Sequence, residues 1–199
     1  GVLASLVGRP NLIERIQQGG IVGYLVILLG LFGVSIAGQR WYVLQAADKK
    51  VTAQLNSSSI SDDNPLGRVL GVYEENKTVD TDTLELKLAE AVFKETPALN
   101  KGLLIIKVIS VVAPLMGLLG TVTGMIKTFQ AITLYGTGDP KLMAGGISQA
   151  LVTTVLGLTV AIPTTLLHTI VSGRSNRVTQ IIQEQAAGII ANHSEKSSG

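Results

Sequence analysis

Three long stretches without a charged residue dominate the pattern of apolar and polar positions along the chain. They cover residues 21–38, 108–126 and 142–173. The hydrocarbon core of a bilayer is about 30 Å thick, and an α-helix of about 20 residues crosses it. The pattern therefore predicts three transmembrane helices. The third stretch would extend about 48 Å as a helix, so we expect either one long helix that projects into water or two elements. Pro163 can kink such a helix without breaking it.

A polar segment, residues 39–101, separates the first two stretches. It carries eight Lys or Arg and ten Asp or Glu residues, so we expect it to lie in water. Asn64 and Pro65 have the order of a helix N-cap and a first helical residue. Further along, Leu84, Leu88 and Ala91 recur at helical spacing. The segment is poor in large apolar residues, so its helices are expected to extend the membrane helices or to pack on them.

Basic residues flank the three stretches unequally. Seven lie on the side of the polar segment and the C-terminus, namely Arg40, Lys49, Lys50, Lys94, Lys101, Arg174 and Arg177. The opposite side has Arg9, Arg15 and Lys141, with Lys127 at the edge of the second stretch. Because cytoplasmic loops carry an excess of Lys and Arg, this asymmetry predicts that the N-terminus is outside and the C-terminus inside.

The predicted fold class is an all-α membrane protein with three transmembrane helices and long cytoplasmic helical extensions. The chain begins with a periplasmic or interfacial amphipathic segment (1–20), in which a short helix runs from Asn11 to a stop at Gly19 and Gly20. In chain order there follow the first transmembrane helix (21–43), a cytoplasmic helical loop (44–101), the second transmembrane helix (102–134), a short periplasmic loop (135–141), the third transmembrane helix (142–173) and a cytoplasmic tail (174–199).

The composition agrees with a membrane protein and excludes several other classes. Hydrophobic residues make up 46% of the chain, charged residues 15%, and the mean hydropathy is +0.42, whereas about a quarter of a typical soluble domain is charged. The absence of cysteine excludes disulfides and zinc–thiolate sites. We expect no metal and no cofactor. The net charge of +2, without a basic stripe, indicates no nucleic-acid partner.

Small and hydroxylated residues recur on one side of the second and third stretches. In the second they are Ser110, Pro114, Gly117, Thr121, Gly124 and Thr128, and in the third Gly146, Ala150, Thr153, Gly157, Ala161, Thr164 and His168. Such faces let membrane helices pack closely, and the predicted packing residues are Gly117, Gly120, Gly124, Gly146, Gly157, Pro114 and Pro163. A polar lining of a pathway is the alternative. Gln149 and Thr154 flank the third face roughly 140° apart, so they cannot both point along one line.

The transmembrane stretches contain no carboxylate. No Asp or Glu lies between Glu14 and Asp48, between Glu95 and Asp139, or between Asp139 and Glu184. A group that exchanges protons inside a bilayer is usually Asp, Glu or His. If the protein conducts protons, the titrating carboxylate must therefore come from another chain. The sequence also has no carboxylate pair, Ser-His-Asp set or phosphate-binding loop, so we do not expect an enzyme.

Two motifs resemble a known family. The segments GLLGTVTGMIKTFQ (117–130) and GGISQALVTTVLGLTVAIP (145–163) are similar to the signature hairpin of the ExbB/TolQ/MotA proton-channel family. The segment RIQQGGIVGYLVILLGL (15–31) further resembles the large ExbB-like proteins of alternative TonB systems, of the TtpC type. Those proteins have a periplasmic extension before the channel module. The chain is therefore expected to be the C-terminal part of a longer protein.

The resemblance implies a site and partners. Thr121 and Thr154 match the conduction threonines of the family, and the predicted pathway consists of Thr121, Thr154, Thr153 and Gln149. Gln149 stands where ExbB proteins commonly have Glu, which removes a titrating group. The family implies a homo-oligomer, expected to be a pentamer, around an ExbD-like single-span subunit with an intramembrane Asp. A TonB-like protein and the lipid bilayer of a bacterial inner membrane are the other expected partners.

The function implied is that of a proton-channel subunit that energises TonB-dependent uptake, for example of iron complexes. A TolQ-like envelope-maintenance motor is the near alternative. A flagellar stator is a weaker one, because such subunits have four membrane spans. A membrane scaffold whose small-residue faces only pack represents a different class.

Overall fold

Six α-helices make up the regular structure of the described part of the chain. The computed structural model describes residues 12–136 and 140–198. The helices are α1 (Leu12–Gln18), α2 (Gly20–Leu55), α3 (Pro65–Glu75), α4 (Thr81–Asn100), α5 (Leu103–Tyr135) and α6 (Pro140–Ser198). Three helices, which correspond to α2, α5 and α6, are long and apolar enough to cross a membrane. The predicted all-α membrane fold with three spanning helices is thus confirmed.

Two details of the predicted helices follow from these bounds. The third uncharged stretch belongs to one helix, α6, which continues through Pro163 to Ser198. The short helix predicted to start at Asn11 is present as α1, while Asn11 itself, Arg9 and residues 137–139 of the predicted outer loop lie outside the described residues. Gly20, the first residue of α2, adopts a φ of 59°, which favours glycine.

The chain forms two compact units. The first, called the membrane unit, consists of the described residues up to Ile36 together with those of Ile105–Leu167. The second, called the extension unit, consists of Ala37–Leu104 together with the chain from His168 onwards. The membrane unit contains the start of α2, nearly all of α5 and the first half of α6.

In the membrane unit, α5 and α6 pack as an antiparallel hairpin. The buried positions of α5 recur at intervals of three and four residues, which places them on one face: Ile106, Ile109, Ala113, Gly117, Gly120, Gly124 and Thr128. Large apolar side chains point away from this face and are exposed, among them Leu118 (59%) and Leu151 (62%). In the starting half of α2, Leu28 and Leu31 are exposed in the same way. Such surfaces suit contact with lipid.

The extension unit has its own cluster of buried apolar side chains. Leu66 and Val69 of α3 and Leu84 and Leu88 of α4 are fully buried. They pack with Leu44 and Val51 of α2 and with Val171, Val178 and Ile182 of α6. The expectation that the loop helices pack on extensions of the membrane helices is therefore confirmed.

A buried N-cap starts α3. Asn64 is 2% exposed, and its Oδ1 accepts a hydrogen bond of 2.8 Å from the backbone N–H of Gly67. A Cβ atom at Gly67 would overlap the carbonyl oxygen of Ser61, so only glycine fits there. Pro65 occupies the first helical position, as the order of Asn64 and Pro65 predicts.

Candidate ion pathway in the helical hairpin

Thr121 of α5 and Thr154 of α6 meet side by side in the hairpin. Their hydroxyl groups form a short hydrogen bond to each other. Both hydroxyls also reach the carbonyl oxygen of Ala150, at 3.2 Å from Thr121 Oγ1 and 3.4 Å from Thr154 Oγ1. Both side chains are only half-buried, so part of each threonine faces the outside of the hairpin. We call these two residues the threonine pair.

The threonine pair can form because the two helix backbones touch beside it. A Cβ atom at Gly117 would lie 2.9 Å from the carbonyl oxygen of Thr153 and 3.3 Å from the Cα of Gly157. A Cβ atom at Gly157 would lie 2.8 Å from the carbonyl oxygen of Ala113. Small residues at a helix crossing permit this distance in membranes, where no hydrophobic effect drives helices together.

Thr153 lies in a different place from the threonine pair. Its side chain is fully buried and fills the space against Gly120, where a Cβ atom would overlap it. Its hydroxyl donates a hydrogen bond of 2.8 Å to the carbonyl oxygen of Ala150. In the single chain, Thr153 therefore fills the helix interface and has no free surface towards a pathway.

Gln149 faces the start of α2. A Cβ atom at Gly20 would lie 2.6 Å from Gln149 Nε2. On the same face of α6, Leu156 contacts Gly23, and Val160 lies against Gly30. The start of α2 therefore covers this face, and Gln149 and the threonine pair point to different sides of α6. This agrees with the angle of roughly 140° between Gln149 and Thr154 on an ideal helix.

The other predicted packing residues also lie close to other helices. Gly124 faces Ala150, and a Cβ atom at Gly124 would lie 2.9 Å from the Cβ of Ala150. Gly146 faces Thr128, and a Cβ atom at Gly146 would overlap the hydroxyl group of Thr128. Pro114 is half-buried within α5. Pro163 is exposed and lines a groove between α2 and α6, with Gly30, Val34 and Val160 among its neighbours.

The chemistry of the threonine pair is that of groups that solvate and do not ionise. A hydroxyl donates one hydrogen bond and accepts two. The neighbouring carbonyl oxygen of Ala150 adds an acceptor that no side-chain pattern reveals, because every residue carries one. The sequence places no Asp or Glu in either helix of the hairpin between Glu95 and Asp139 or between Asp139 and Glu184. The pair can thus stabilise a proton-carrying group but cannot supply one.

Comparison with known proteins gives matches along most of the chain. Residues 48–184 match the model of the MotA/TolQ/ExbB proton channel family. An ExbB-like biopolymer transport protein of Synechocystis is 29% identical over 175 residues, which cover 79% of this chain and 69% of that protein. An ExbB homologue of Methanothermobacter thermautotrophicus is 28% identical over 180 residues, covering 82% of this chain and 64% of that protein.

A shorter and more similar match falls on a smaller part of the chain. The biopolymer transport protein ExbB of Aquifex aeolicus is 46% identical over 70 residues, which cover 35% of this chain and 47% of that protein. The chain thus spans about half to two thirds of the length of these relatives. The family match covers more than half of the chain and includes both helices of the hairpin. The chain therefore belongs to the MotA/TolQ/ExbB proton channel family.

Proposed function

We propose that the chain is an ExbB-like proton-channel subunit that uses the proton motive force to energise TonB-dependent uptake across an outer membrane. The observation that carries the proposal is the threonine pair. It is a hydrogen-bonded polar site in an apolar hairpin, it faces away from the side covered by α2, and no carboxylate accompanies it. Such a site suits a proton-carrying group that enters from a second chain.

The lack of a carboxylate in the uncharged stretches supports a partner that supplies one. We propose a single-span, ExbD-like subunit whose intramembrane Asp lies beside Thr121 and Thr154. A buried charge is costly, by about 2.5–3.5 kcal/mol on the lenient insertion scale, and needs polar neighbours. The hydroxyls of the pair can donate to the ionised carboxylate, and the Ala150 carbonyl oxygen can accept a hydrogen bond from its protonated form. Several copies of this chain, expected to be five, would surround the partner, and a TonB-like protein would receive the work.

The proposed location is a bacterial inner membrane, with the N-terminus outside and the extension unit in the cytoplasm. The excess of basic residues on the side of the extension unit supports this orientation. Ion flow past the threonine pair would then be directed towards the cytoplasm.

Removing the hydroxyl groups tests the proposal. Thr121→Val and Thr154→Val keep the side-chain shape and delete the hydrogen bonds. A membrane hydrogen bond contributes only about 0.6 kcal/mol on average, so both variants should fold and assemble with the partner. We expect them to lose energy-dependent uptake, whereas Thr→Ser variants keep part of it. Full uptake by both valine variants would refute the proposal.

Two alternatives remain distinct outcomes of the same experiment. A TolQ-like motor would need both hydroxyls for envelope integrity and leave uptake unchanged. A non-conducting scaffold would tolerate both valines in every assay, because it needs only the packing of the glycines.

A further inference from the structure

Lys127 is a cation of the hairpin that lies away from the threonine pair. It is the one charged residue of α5 after Lys107. Its Nζ lies 3.5 Å from Oε1 of Gln149, and its side chain is exposed. Within residues 12–136 and 140–198, the ion pairs of the structure involve other cations. Among the described residues, the ammonium group of Lys127 therefore contacts an amide oxygen and no carboxylate.

The position of Lys127 along α5 places it at the edge of the hydrocarbon core. Lys127 follows Lys107 by 20 residues, which corresponds to about 30 Å of helix. This distance equals the thickness of the hydrocarbon core. With one lysine at each boundary, the ammonium group of Lys127 can reach the headgroup region while its aliphatic part stays among apolar groups.

The side chain of Lys127 points towards a set of polar side chains. Thr121 and Lys127 are six residues apart, so they point roughly 120° away from each other on the helix. Lys127 faces Gln149, which contacts Gly20 at the start of α2. Next to it, Ser148 Oγ donates a hydrogen bond of 3.3 Å to Gln18 Oε1. We call Gln18, Lys127, Ser148 and Gln149 the polar corner.

The donors of the polar corner suit a phosphate group. Lys127 has three N–H donors and no acceptor, and one of them points to Gln149 Oε1, which leaves two for a ligand. Charge-assisted hydrogen bonds from such donors to phosphate oxygens are among the stronger ones. Beside Lys127, the side chains of Ile126 and Phe129 are 50% and 62% exposed and offer an apolar surface for acyl chains.

We propose that the polar corner binds the phosphate group of a membrane phospholipid, in the leaflet at this end of the hairpin. A lipid fits better than a protein carboxylate, because the site combines a cation at the core boundary with exposed apolar neighbours. The proposal depends on membrane insertion of the hairpin. It depends neither on proton conduction nor on the orientation of the chain.

Native mass spectrometry of the detergent-solubilised full chain tests this site. The chain is titrated with dioleoylphosphatidylglycerol, and the wild type is compared with Lys127→Gln and with Lys127→Arg. A basic residue near a membrane surface contributes about 1 kcal/mol, so Lys127→Gln should bind this lipid about fivefold more weakly. Lys127→Arg should bind like the wild type. Lys49→Gln, which removes an exposed lysine of the extension unit, is the matched control and should change nothing.

Two further ligands identify the source of the phosphate group. Dioleoylglycerol has the same acyl chains without phosphate and should not distinguish Lys127→Gln from the wild type. Glycerol phosphate has the phosphate without acyl chains and should bind far more weakly than the lipid. Equal affinity of wild type and Lys127→Gln for phosphatidylglycerol would overturn the proposal. Binding of glycerol phosphate as tight as that of the lipid would overturn the assignment to a phospholipid.

Discussion

Thr121 and Thr154 can meet because the residues beside them are small. Gly117 and Gly157 bring the backbones into contact, and Gly120 makes room for Thr153. Each threonine is then half-buried, with one side against the other helix of the hairpin and one side exposed. At the scale of the residue, the hydroxyls carry the proposed function and the glycines determine where the hydroxyls lie.

A second residue-scale feature concerns the loop before α3. Hydrogen bonds from Asn64 and Ser61 and the neighbouring ammonium group of Lys50 lower the pKa of Asp63 from 3.8 to about 2. A carboxyl whose pKa is lower in the folded state stabilises the fold above its unfolded pKa, and this contribution disappears as the pH falls through the folded pKa. The stabilisation by Asp63 is thus complete above about pH 4 and disappears towards pH 2.

Amide hydrogen exchange of residues 57–67 measures this effect. We expect the protection of this loop in the wild type to decrease from pH 5 to pH 2 relative to Asp63→Asn at each pH. The variant lacks the titrating group, so it provides the baseline. A pH profile of protection that is identical in the two proteins would contradict the assigned role of Asp63.

The residue-scale features differ in how far the sequence predicts them. The motif around Thr121 and Thr154 identifies both threonines, and helical geometry predicts that Gln149 points elsewhere. The carbonyl oxygen of Ala150 has no sequence signal, because all residues carry one. The burial of Thr153 depends on Gly120 of the facing helix, and periodicity in one helix does not reveal which residue faces it.

At the scale of the element, the α5–α6 hairpin depends on close backbone contact. A leucine at Gly117 would push against the carbonyl oxygen of Thr153 and the Cα of Gly157. Overpacking of a tight interface costs about 1–3 kcal/mol. We expect Gly117→Leu to lower the thermal unfolding midpoint in detergent and to disrupt the proposed oligomer, as measured by native mass spectrometry.

Leu28→Ala is the matched control for this variant. Leu28 is 62% exposed on α2, so its truncation removes little buried surface and should leave both readouts nearly unchanged. An intact oligomer with an unchanged unfolding midpoint for Gly117→Leu would count against the packing described for the hairpin.

The helices themselves are the most predictable elements. Uncharged stretches near the length of a bilayer crossing give the three long helices, and Asn64 with Pro65 gives the start of α3. The ends of α2 and α6 are less predictable, because the parts of these helices in the extension unit depend on contacts with α3 and α4. Leu44, Val51, Val178 and Ile182 show apolar spacing in the sequence, but their partners come from distant segments.

At the scale of the whole molecule, the orientation in the membrane rests on the basic residues that flank the helices. These 199 residues contain no cysteine, so single-cysteine variants of them report one position each. We expect Asp62→Cys, in the loop before α3, to be shielded from an impermeant thiol reagent in intact cells. Pro140→Cys, at the start of α6, should react. The reverse labelling pattern would overturn the proposed orientation and the direction of ion flow.

Proton flux into liposomes measures most directly whether the hairpin solvates a proton site whose carboxylate belongs to a partner. The chain is reconstituted alone and with the proposed single-span partner, and the Thr121→Val/Thr154→Val double variant is reconstituted with the same partner. A hydrogen bond to a charged group contributes about 1.5–3 kcal/mol. The proton flux through the double variant should therefore be lower than that of the wild type by roughly tenfold or more. We predict full flux only when the partner and both threonines are present. Comparable flux through the chain alone, or full flux through the double variant, would contradict the account.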